Sequence, residues 1–395
     1  MRLQDWHQFE NRIFTSRRVG QYAAVLLFGY VVFMVKGFTN QLWLTAEGGH
    51  SQGTDFIATW AAARLALAGQ AASAYDIATF TREQLIGVAK DNGYSWAYPP
   101  TYFLLIAPLA LFSYAAATLI WLFTTLAAYA VAAYAILPRK ATIFAALVSP
   151  FVLWNFFAGQ NAFLTAALIG GTLVLLDRKP IVAGILLGLL TVKPQLGILF
   201  PLILILTFRW QAFVAAAVTT VLLGLASLLI FGMESWTAFF AAMQTQAGTV
   251  LDRGEVAFSK QQSVHALVRL LGGGDGFAWA LHIAAALAAT GFSCWLWLRP
   301  FDYRLKAASL VAAVLIATPY LFSYDLPILT VPLVFLASLG IAPNGQGGGF
   351  IPGERTVIAV LVPVLLLFPG QPIGVPVLAL LMLLIVLRLR MQPSR

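Results

Sequence analysis

Long apolar runs recur along the whole chain and decide what it can fold into. A helix needs roughly 20 apolar residues to cross a bilayer, and many of these runs approach that length between Lys, Arg, Pro or Gly boundaries. We predict about twelve membrane-crossing segments: 19–38, 114–137, 142–157, 161–176, 181–192, 195–208, 211–231, 277–298, 307–321, 325–342, 356–369 and 372–389. The first is expected to be a retained span, because no small-residue cleavage site follows it. The predicted fold is an all-α polytopic membrane protein.

Composition supports this assignment. Hydrophobic residues make up 60% of the chain and charged residues only 10%, whereas about a quarter of a soluble domain is charged. The single cysteine, Cys294, lies in a predicted span, so no intramolecular disulfide can form. We attribute the net charge of +9 to membrane topology and to attraction for lipid headgroups, and we expect no nucleic-acid partner.

The distribution of basic residues orients the chain. An even number of crossings with cytoplasmic ends places most of the 24 Lys and Arg residues on the inner side, as the positive-inside rule requires. Two long segments, 39–113 and 232–276, are then left on the outer face, where most acidic residues also lie. We treat residues 1–395 as one transmembrane domain and expect its chemistry in these outer loops.

The first outer loop contains "TDFIATWAAARLALAG", which predicts a helix beginning near Asp55 and ending at Gly69. One face of this helix is expected to lie in the membrane interface, because apolar residues recur there at helical spacing: Phe56, Trp60, Ala63 and Leu67. Asp55 is either the helix cap or a chemically active carboxylate.

The stretch "TVKPQ" separates two apolar runs that are too short for ordinary spans. Because Pro194 disfavours helix at the residue before it, the chain is expected to break at Lys193, with the ammonium group near the outer boundary. Lys193 either extends to the lipid headgroups or serves as counter-ion for a bound phosphate.

Three further polar segments fall on the outer side. "FFAGQNAFL" places Gln160 and Asn161 at one turn, and "TPYLFSYDLP" places Tyr324 and Asp325 at another. Each is explained either by turn chemistry or by substrate binding. "SKQQSVHALVRLLGGG" is either a solvated loop or a binding segment, and its polar residues are Gln261, Gln262, Ser263, His265 and Arg269.

Several kinds of chemistry lack their sequence signals. The chain has no D-x-D or H-E-x-x-H motif, its four histidines lack ligand spacing, and "GGGDG" is not a phosphate-binding loop. We therefore expect no metal and no other cofactor. A candidate base and a few cations remain, which suits displacement of a leaving group that is already a good anion.

Five segments in this order resemble a known family: "TDFIATWAAARLALAGQAASAYD", "YPPTYFLLIAPLALF", "GQNAFLTAALIGG", "VAGILLGLLTVKPQLGILFPL" and "KQQSVHALVRLLGG". They are similar to bacterial membrane proteins of glycosyltransferase family 87, the polyprenol-phosphate-mannose-dependent mannosyltransferase-like group with a GT-C fold. The resemblance implies an inverting transferase that moves a sugar from a polyprenyl-phosphate carrier to a lipid or glycan acceptor. It also implies a location in the bacterial cytoplasmic membrane with the site facing outward.

The resemblance also implies roles for particular residues. The family's first-loop aspartate falls on Asp55, which would act as general base, and its K-P pair falls on Lys193, the first choice for binding the donor phosphate. Arg269 and His265 are second choices for that phosphate. The remaining candidates would bind substrate: Gln160, Asn161, Gln261, Gln262, Ser263, Tyr324 and Asp325.

This chain departs from the family at two of these places. Gln261 replaces an asparagine, and "FSYDLP" replaces a Trp/His-rich segment, which leaves the identity of the sugar open. Two other classes stay open on the residues alone, a transporter or flippase and a structural or assembly subunit. Turnover of a polyprenyl-phosphate sugar by the purified protein separates the three.

Overall fold

The computed structural model describes residues 3–40, 54–87, 94–247, 258–341, 349–361 and 371–391. Parts of both predicted outer loops, 41–53, 88–93 and 248–257, lie outside these ranges, as does most of the predicted span 356–369. The described helices are α1 (Leu3–Ile13), α2 (Ser16–Thr39), α3 (Phe56–Leu67), α4 (Ile77–Gly87), α5 (Phe103–Ile106), α6 (Tyr114–Ile136), α7 (Lys140–Val148), α8 (Pro150–Ala158), α9 (Ala162–Leu175), α10 (Pro180–Gly188), α11 (Leu199–Leu206), α12 (Trp210–Ala247), α13 (Val264–Leu270), α14 (Asp275–Trp297), α15 (Tyr303–Ala317), α16 (Thr330–Gly340), α17 (Glu354–Leu361) and α18 (Gly374–Arg390). The all-α prediction is confirmed for these ranges.

Within the described residues, five helical stretches are long and apolar enough to cross a membrane. They are Arg17–Thr39, Tyr114–Ile136, Trp210–Gln244, Asp275–Trp297 and Ser323–Gly340. The predicted span 142–157 is instead two helices, α7 and α8, bent by 59° where Pro150 begins the second. Counting that pair as one span gives six crossings by length and composition, fewer than the twelve predicted. The count is lower because breaks divide several continuous apolar runs of the sequence into helices that are too short to cross a membrane.

The helix α3 differs from its predicted interfacial position. Nine of its residues are buried, including Phe56, Trp60 and Ala63, and only Leu67 of the predicted face is exposed. The helix packs into an aromatic cluster that contains Trp96 and other rings of the following segment. The prediction that this face lies in the membrane interface is wrong, because the face packs against protein, and an apolar face that suits lipid suits a protein core equally well.

A larger apolar core holds the bundle around α15, in which every residue from Ala307 to Leu315 is buried. Neighbouring helices approach closely at small residues. A Cβ on Gly188 of α10 would lie 2.5 Å from Thr219 Cβ of α12, so the glycine allows these helix backbones to pack together.

Two breaks in the helices lie beside α9, next to this core. The turn Ser323–Leu329 contacts both α8 and α9, and the 3₁₀ turn Leu189–Val192 contacts α9 as well. The polar segments around Asn161, Lys193 and Asp325 therefore come together in space.

Candidate active site

Asp55 stands at the start of α3, but its carboxylate does not cap that helix. Its backbone is already helical, with φ −56° and ψ −19°, and its side chain makes no capping hydrogen bond. Thr54 holds this end instead, since its N–H donates to Tyr114 Oη at 3.2 Å and its carbonyl accepts from the Ile57 N–H at 3.0 Å. The helix-cap interpretation is wrong, and the carboxylate is left for other contacts.

Gln160 binds that carboxylate from a neighbouring turn, with its Nε2 donating to Asp55 Oδ2 at 3.0 Å. The turn begins at Gly159, the residue after the end of α8, whose φ of +73° lies in the left-handed region that glycine tolerates. A Cβ on Gly159 would also lie 2.6 Å from Phe56 Cβ. Glycine therefore permits both the turn and the close approach that brings Gln160 to Asp55.

Lys193 lies buried at the predicted break, with φ −145° and ψ 71° before Pro194. Its ammonium donates to Asn161 Oδ1 at 3.2 Å and to Asp325 Oδ1. It also lies 5.2 Å from the centre of the Tyr324 ring. The predicted break is confirmed, and because protein groups enclose the ammonium, Lys193 does not extend toward the headgroups.

Asp325 is the anion that balances Lys193. The two side chains are only 2% and 6% exposed, respectively. The second carboxylate oxygen of Asp325 accepts from the Phe322 N–H at 3.2 Å, which fixes its orientation. Buried charges require this combination of a partner and further hydrogen bonds. A phosphate bound at Lys193 would have to share the ammonium with Asp325.

Gln261 lies next to the turn that carries Asp325. It pairs with Phe322 in an antiparallel bridge, and the following Gln262 N–H donates to the Leu321 carbonyl at 2.6 Å. This backbone pairing joins the second outer loop to the Asp325 turn across a long sequence separation.

The side chains of Gln262 and Ser263 hold helix ends. Gln262 Oε1 accepts from the Gly374 N–H at 2.7 Å, which anchors the start of α18. Ser263 Oγ accepts from the Ala266 N–H at 3.2 Å and so caps α13. Structural roles account for these contacts, and substrate binding by either side chain stays a prediction.

His265 and Arg269 are held together by a second acidic residue. His265 Nε2 lies 3.0 Å from Asp275 Oδ1, and Arg269 Nη1 lies 3.6 Å from the same oxygen. Asp275 therefore joins these two second-choice phosphate ligands, whereas Lys193 is joined to Asp325.

Two tyrosines that were not predicted also belong to the site. Tyr98 Oη donates to Gln160 Oε1 at 3.1 Å. Burial, and then the Asp325 and Asp55 carboxylates, raise the pKa of Tyr98, and burial followed by Asp55 raises the pKa of Tyr94. Both phenols therefore keep their protons near neutral pH. The tyrosine that precedes the paired prolines in "WAYPP" was the available signal for Tyr98.

The described residues include no group of three or more His, Cys, Asp or Glu side chains placed to hold a metal ion. The absence of a cofactor stays a prediction. The charged groups brought together here are the Asp55 carboxylate and the Lys193 ammonium, which is paired with Asp325. The Asp55 carboxylate accepts hydrogen bonds from the Gln160 amide and the Tyr94 phenol, and a carboxylate held in this way can accept a proton from a bound hydroxyl. Fold and site together define a helical membrane protein suited to transferring a group onto a hydroxyl.

A comparison with known families agrees with this class. The model of glycosyltransferase family 87 matches residues 96–322, more than half of the chain. The chain therefore belongs to glycosyltransferase family 87, as its sequence resemblance predicted, and it is a membrane glycosyltransferase with donor and acceptor substrates. No curated protein matches it significantly, and neither does any solved structure. Lys193 lies inside the matched region, Asp55 before it and Asp325 just after it. Membership of this family favours the enzyme over a transporter or an assembly subunit.

Proposed function

We propose that this protein is an inverting glycosyltransferase that takes a sugar from a polyprenyl-phosphate carrier. The sugar passes to a lipid or glycan acceptor at the outer face of the bacterial cytoplasmic membrane. The observation that carries the proposal is the Asp55 carboxylate, which caps no helix and is held by Gln160. The twelve crossings, the GT-C architecture and the surrounding membrane lipids belong to the same proposal.

In the proposed reaction, Asp55 Oδ1 accepts the proton of an acceptor hydroxyl while that oxygen forms a bond to the anomeric carbon. The bond from the anomeric carbon to the phosphate oxygen breaks on the opposite face, and its electron pair leaves with polyprenyl phosphate. Displacement from the opposite face inverts the anomeric configuration. The leaving group needs no proton because it is a stable anion, so one general base is sufficient.

Lys193 supplies positive charge for the leaving phosphate. Asn161 and Asp325 hold its ammonium in a site from which water is largely excluded. A phosphate that binds there gains a desolvated cation and repels the Asp325 carboxylate, so its binding includes partial displacement of Asp325. Arg269 and His265 stay second candidates, because Asp275 would have to release them.

The remaining predicted residues are assigned to substrate contact. Gln160 lies beside the acceptor hydroxyl in this proposal, because it touches Asp55. Tyr324 lies against the ammonium, which places its ring beside the donor. Gln261 is close to the Asp325 turn through its bridge to Phe322, and Asp325 would orient a sugar hydroxyl.

An apolar cavity of about 350 Å³ supports a lipid-linked substrate. It lies between α14, α15 and α18, and its lining includes Ala285, Ala289, Leu315, Leu378, Gln262 and Ser263. An apolar cavity of about 150 Å³ holds a benzene ring, so this cavity has room for a short length of hydrocarbon chain. We assign it to the hydrocarbon of a lipid substrate.

Asp55→Asn tests the proposal. The substitution keeps the size of the side chain and removes the proton acceptor, so turnover should fall by about 10² to 10⁴. The measurement is sugar transfer by the purified protein in nanodiscs, with polyprenyl-phosphate mannose and a panel of other polyprenyl-phosphate sugars. Lipid extracts of the deletion strain identify the acceptor, and donor binding and melting temperature are followed in parallel.

Asp76→Asn is the matched control. Asp76 lies in the same outer loop, and its carboxylate accepts from the Thr79 N–H at 2.9 Å at the exposed start of α4. Asparagine performs this capping as well as aspartate, so turnover should not change. An Asp55→Asn protein that keeps most of its activity would exclude Asp55 as the base. Absence of transfer from every polyprenyl-phosphate donor by the wild-type protein would exclude the donor class.

A further inference from the structure

A chain of two hydrogen bonds leads away from the Asp55 carboxylate. Gln160 Nε2 donates to Asp55 Oδ2 at 3.0 Å, and Gln160 Oε1 accepts from Tyr98 Oη at 3.1 Å. Gln160 therefore occupies Oδ2 of Asp55, and the Tyr94 phenol forms a further side-chain hydrogen bond with the same carboxylate.

Chemistry fixes the direction of both bonds. A carboxylate only accepts, so the amide nitrogen of Gln160 must face Asp55 and its carbonyl must face Tyr98. That carbonyl needs a donor, and the Tyr98 phenol keeps its proton, because burial and the carboxylates of Asp325 and Asp55 raise its pKa. The reversed amide orientation would put the Gln160 carbonyl against the Asp55 carboxylate, where neither group can donate.

Tyr98 is itself held firmly. Its carbonyl accepts from Tyr75 Oη at 2.7 Å, and its ring lies 4.9 Å from the ring of Trp96 and 4.8 Å from that of Tyr102. Tyr98, the last residue of the hydrogen-bond chain, therefore belongs to a packed group of aromatic rings. Gln160, by contrast, lies on the turn between α8 and α9 and is only half-buried.

We propose that Tyr98 is a positioning residue that orients the Asp55 carboxylate through Gln160. This inference rests on the proposed role of Asp55 as general base. Rotation about the last bond of an aspartate side chain is only weakly restricted by the side chain itself. Fixing Oδ2 therefore directs Oδ1 toward the space where the acceptor hydroxyl binds, and loss of the phenol proton donor lets both the amide and the carboxylate turn.

The test is Tyr98→Phe in the full-length protein in nanodiscs. Loss of one hydrogen bond in the chain should lower kcat about tenfold. The KM for the polyprenyl-phosphate donor and the melting temperature should stay close to wild type. Gln160→Asn is the second variant, because its shorter amide cannot span the distance between Tyr98 and Asp55, and it should lower kcat at least as much.

Two comparisons separate positioning from a merely structural effect. Adding Tyr98→Phe to Gln160→Asn should lower kcat no further, because the two residues act in series. Adding Tyr98→Phe to Asp55→Asn should also have no further effect. The control is Tyr129→Phe, which removes a buried phenol bonded to Thr330 Oγ1 at 2.6 Å outside the site, and it should leave kcat unchanged.

Three results would overturn the inference while the role of Asp55 stands. They are an unchanged kcat in Tyr98→Phe, losses that multiply in the double variants, and a rise in donor KM instead of a fall in kcat. The last would mean that Tyr98 acts through Asn161, whose side chain also hydrogen-bonds the Tyr98 phenol and contacts Lys193. Full activity of Asp55→Asn alone would instead remove the proposed function on which the inference rests.

Discussion

Lys193→Met removes one member of an ion pair whose other member is buried with it. The side chains of Lys193 and Asp325 are 6% and 2% exposed, so water cannot replace the lost partner. Breaking a buried pair from one side costs about 3 to 5 kcal/mol, because the remaining charge is left without compensation. We expect Lys193→Met to lower the free energy of unfolding by this amount.

The same reasoning predicts that a second substitution restores stability. Asp325→Asn removes the negative charge but keeps an oxygen that accepts from the Phe322 N–H. Replacing both members of a buried pair is often neutral, so Lys193→Met combined with Asp325→Asn should lie within about 1 kcal/mol of wild type. It should nevertheless use the polyprenyl-phosphate donor poorly, because the proposed phosphate cation is gone.

The assay is equilibrium unfolding in mixed micelles, followed by tryptophan fluorescence for the wild type, both single variants and the double variant. Asp177→Asn is the matched control, because Asp177 pairs with Arg209 where the side chains are 52% and 25% exposed. An exposed pair contributes about 0 to 1 kcal/mol, so the control should differ little from wild type. Single variants as stable as this control, or a double variant that loses the sum of both single effects, would refute the reasoning.

Two further predictions concern the first outer loop and its neighbouring turn. Gly159→Ala should cost about 1 to 2 kcal/mol from its left-handed backbone and more from the Cβ placed 2.6 Å from Phe56 Cβ, so its unfolding free energy should fall further than that of Gly69→Ala. Gly69 has a φ of +71° but open space around it, so equal losses would contradict the close approach. The Thr79 N–H lowers the pKa of Asp76, so its contribution to stability is present above its ordinary pKa and is lost as the pH falls through the lowered value. Acid unfolding of wild type and Asp76→Asn should show a stability difference that changes over this range, and a difference independent of pH would exclude the effect.

The long helices could be predicted from sequence because their apolar runs end at clear boundaries. The predicted span 114–137 is α6, Tyr114–Ile136, and the predicted span 277–298 is close to α14, Asp275–Trp297. Hydropathy alone did not reveal where Pro150 bends a continuous apolar run. It also could not tell a helix buried in protein from one lying in lipid, because both need the same apolar side chains.

Local features of the site were predictable where one residue restricts the backbone of its neighbour. A proline restricts the residue before it, so the break at Lys193 follows from two adjacent letters. The contacts of the site were not predictable, because they join distant parts of the chain. Gln160 reaches Asp55 across 105 positions, and Lys193 reaches Asp325 across 132. The sequence identified Asp325 as a turn residue and did not indicate that it neutralises Lys193.

Residues 160 and 161 are consecutive, and their side chains hold two charged groups of the site: Gln160 binds Asp55 and Asn161 binds Lys193. Neighbouring Cα atoms are about 3.8 Å apart, so a single peptide unit separates the side chain that binds the Asp55 carboxylate from the side chain that binds the Lys193 ammonium. An insertion or deletion between these two positions would change that spacing in one step. Variation in sugar and acceptor among enzymes built on this turn is therefore expected to arise in the surrounding loops, with the length of the turn held constant.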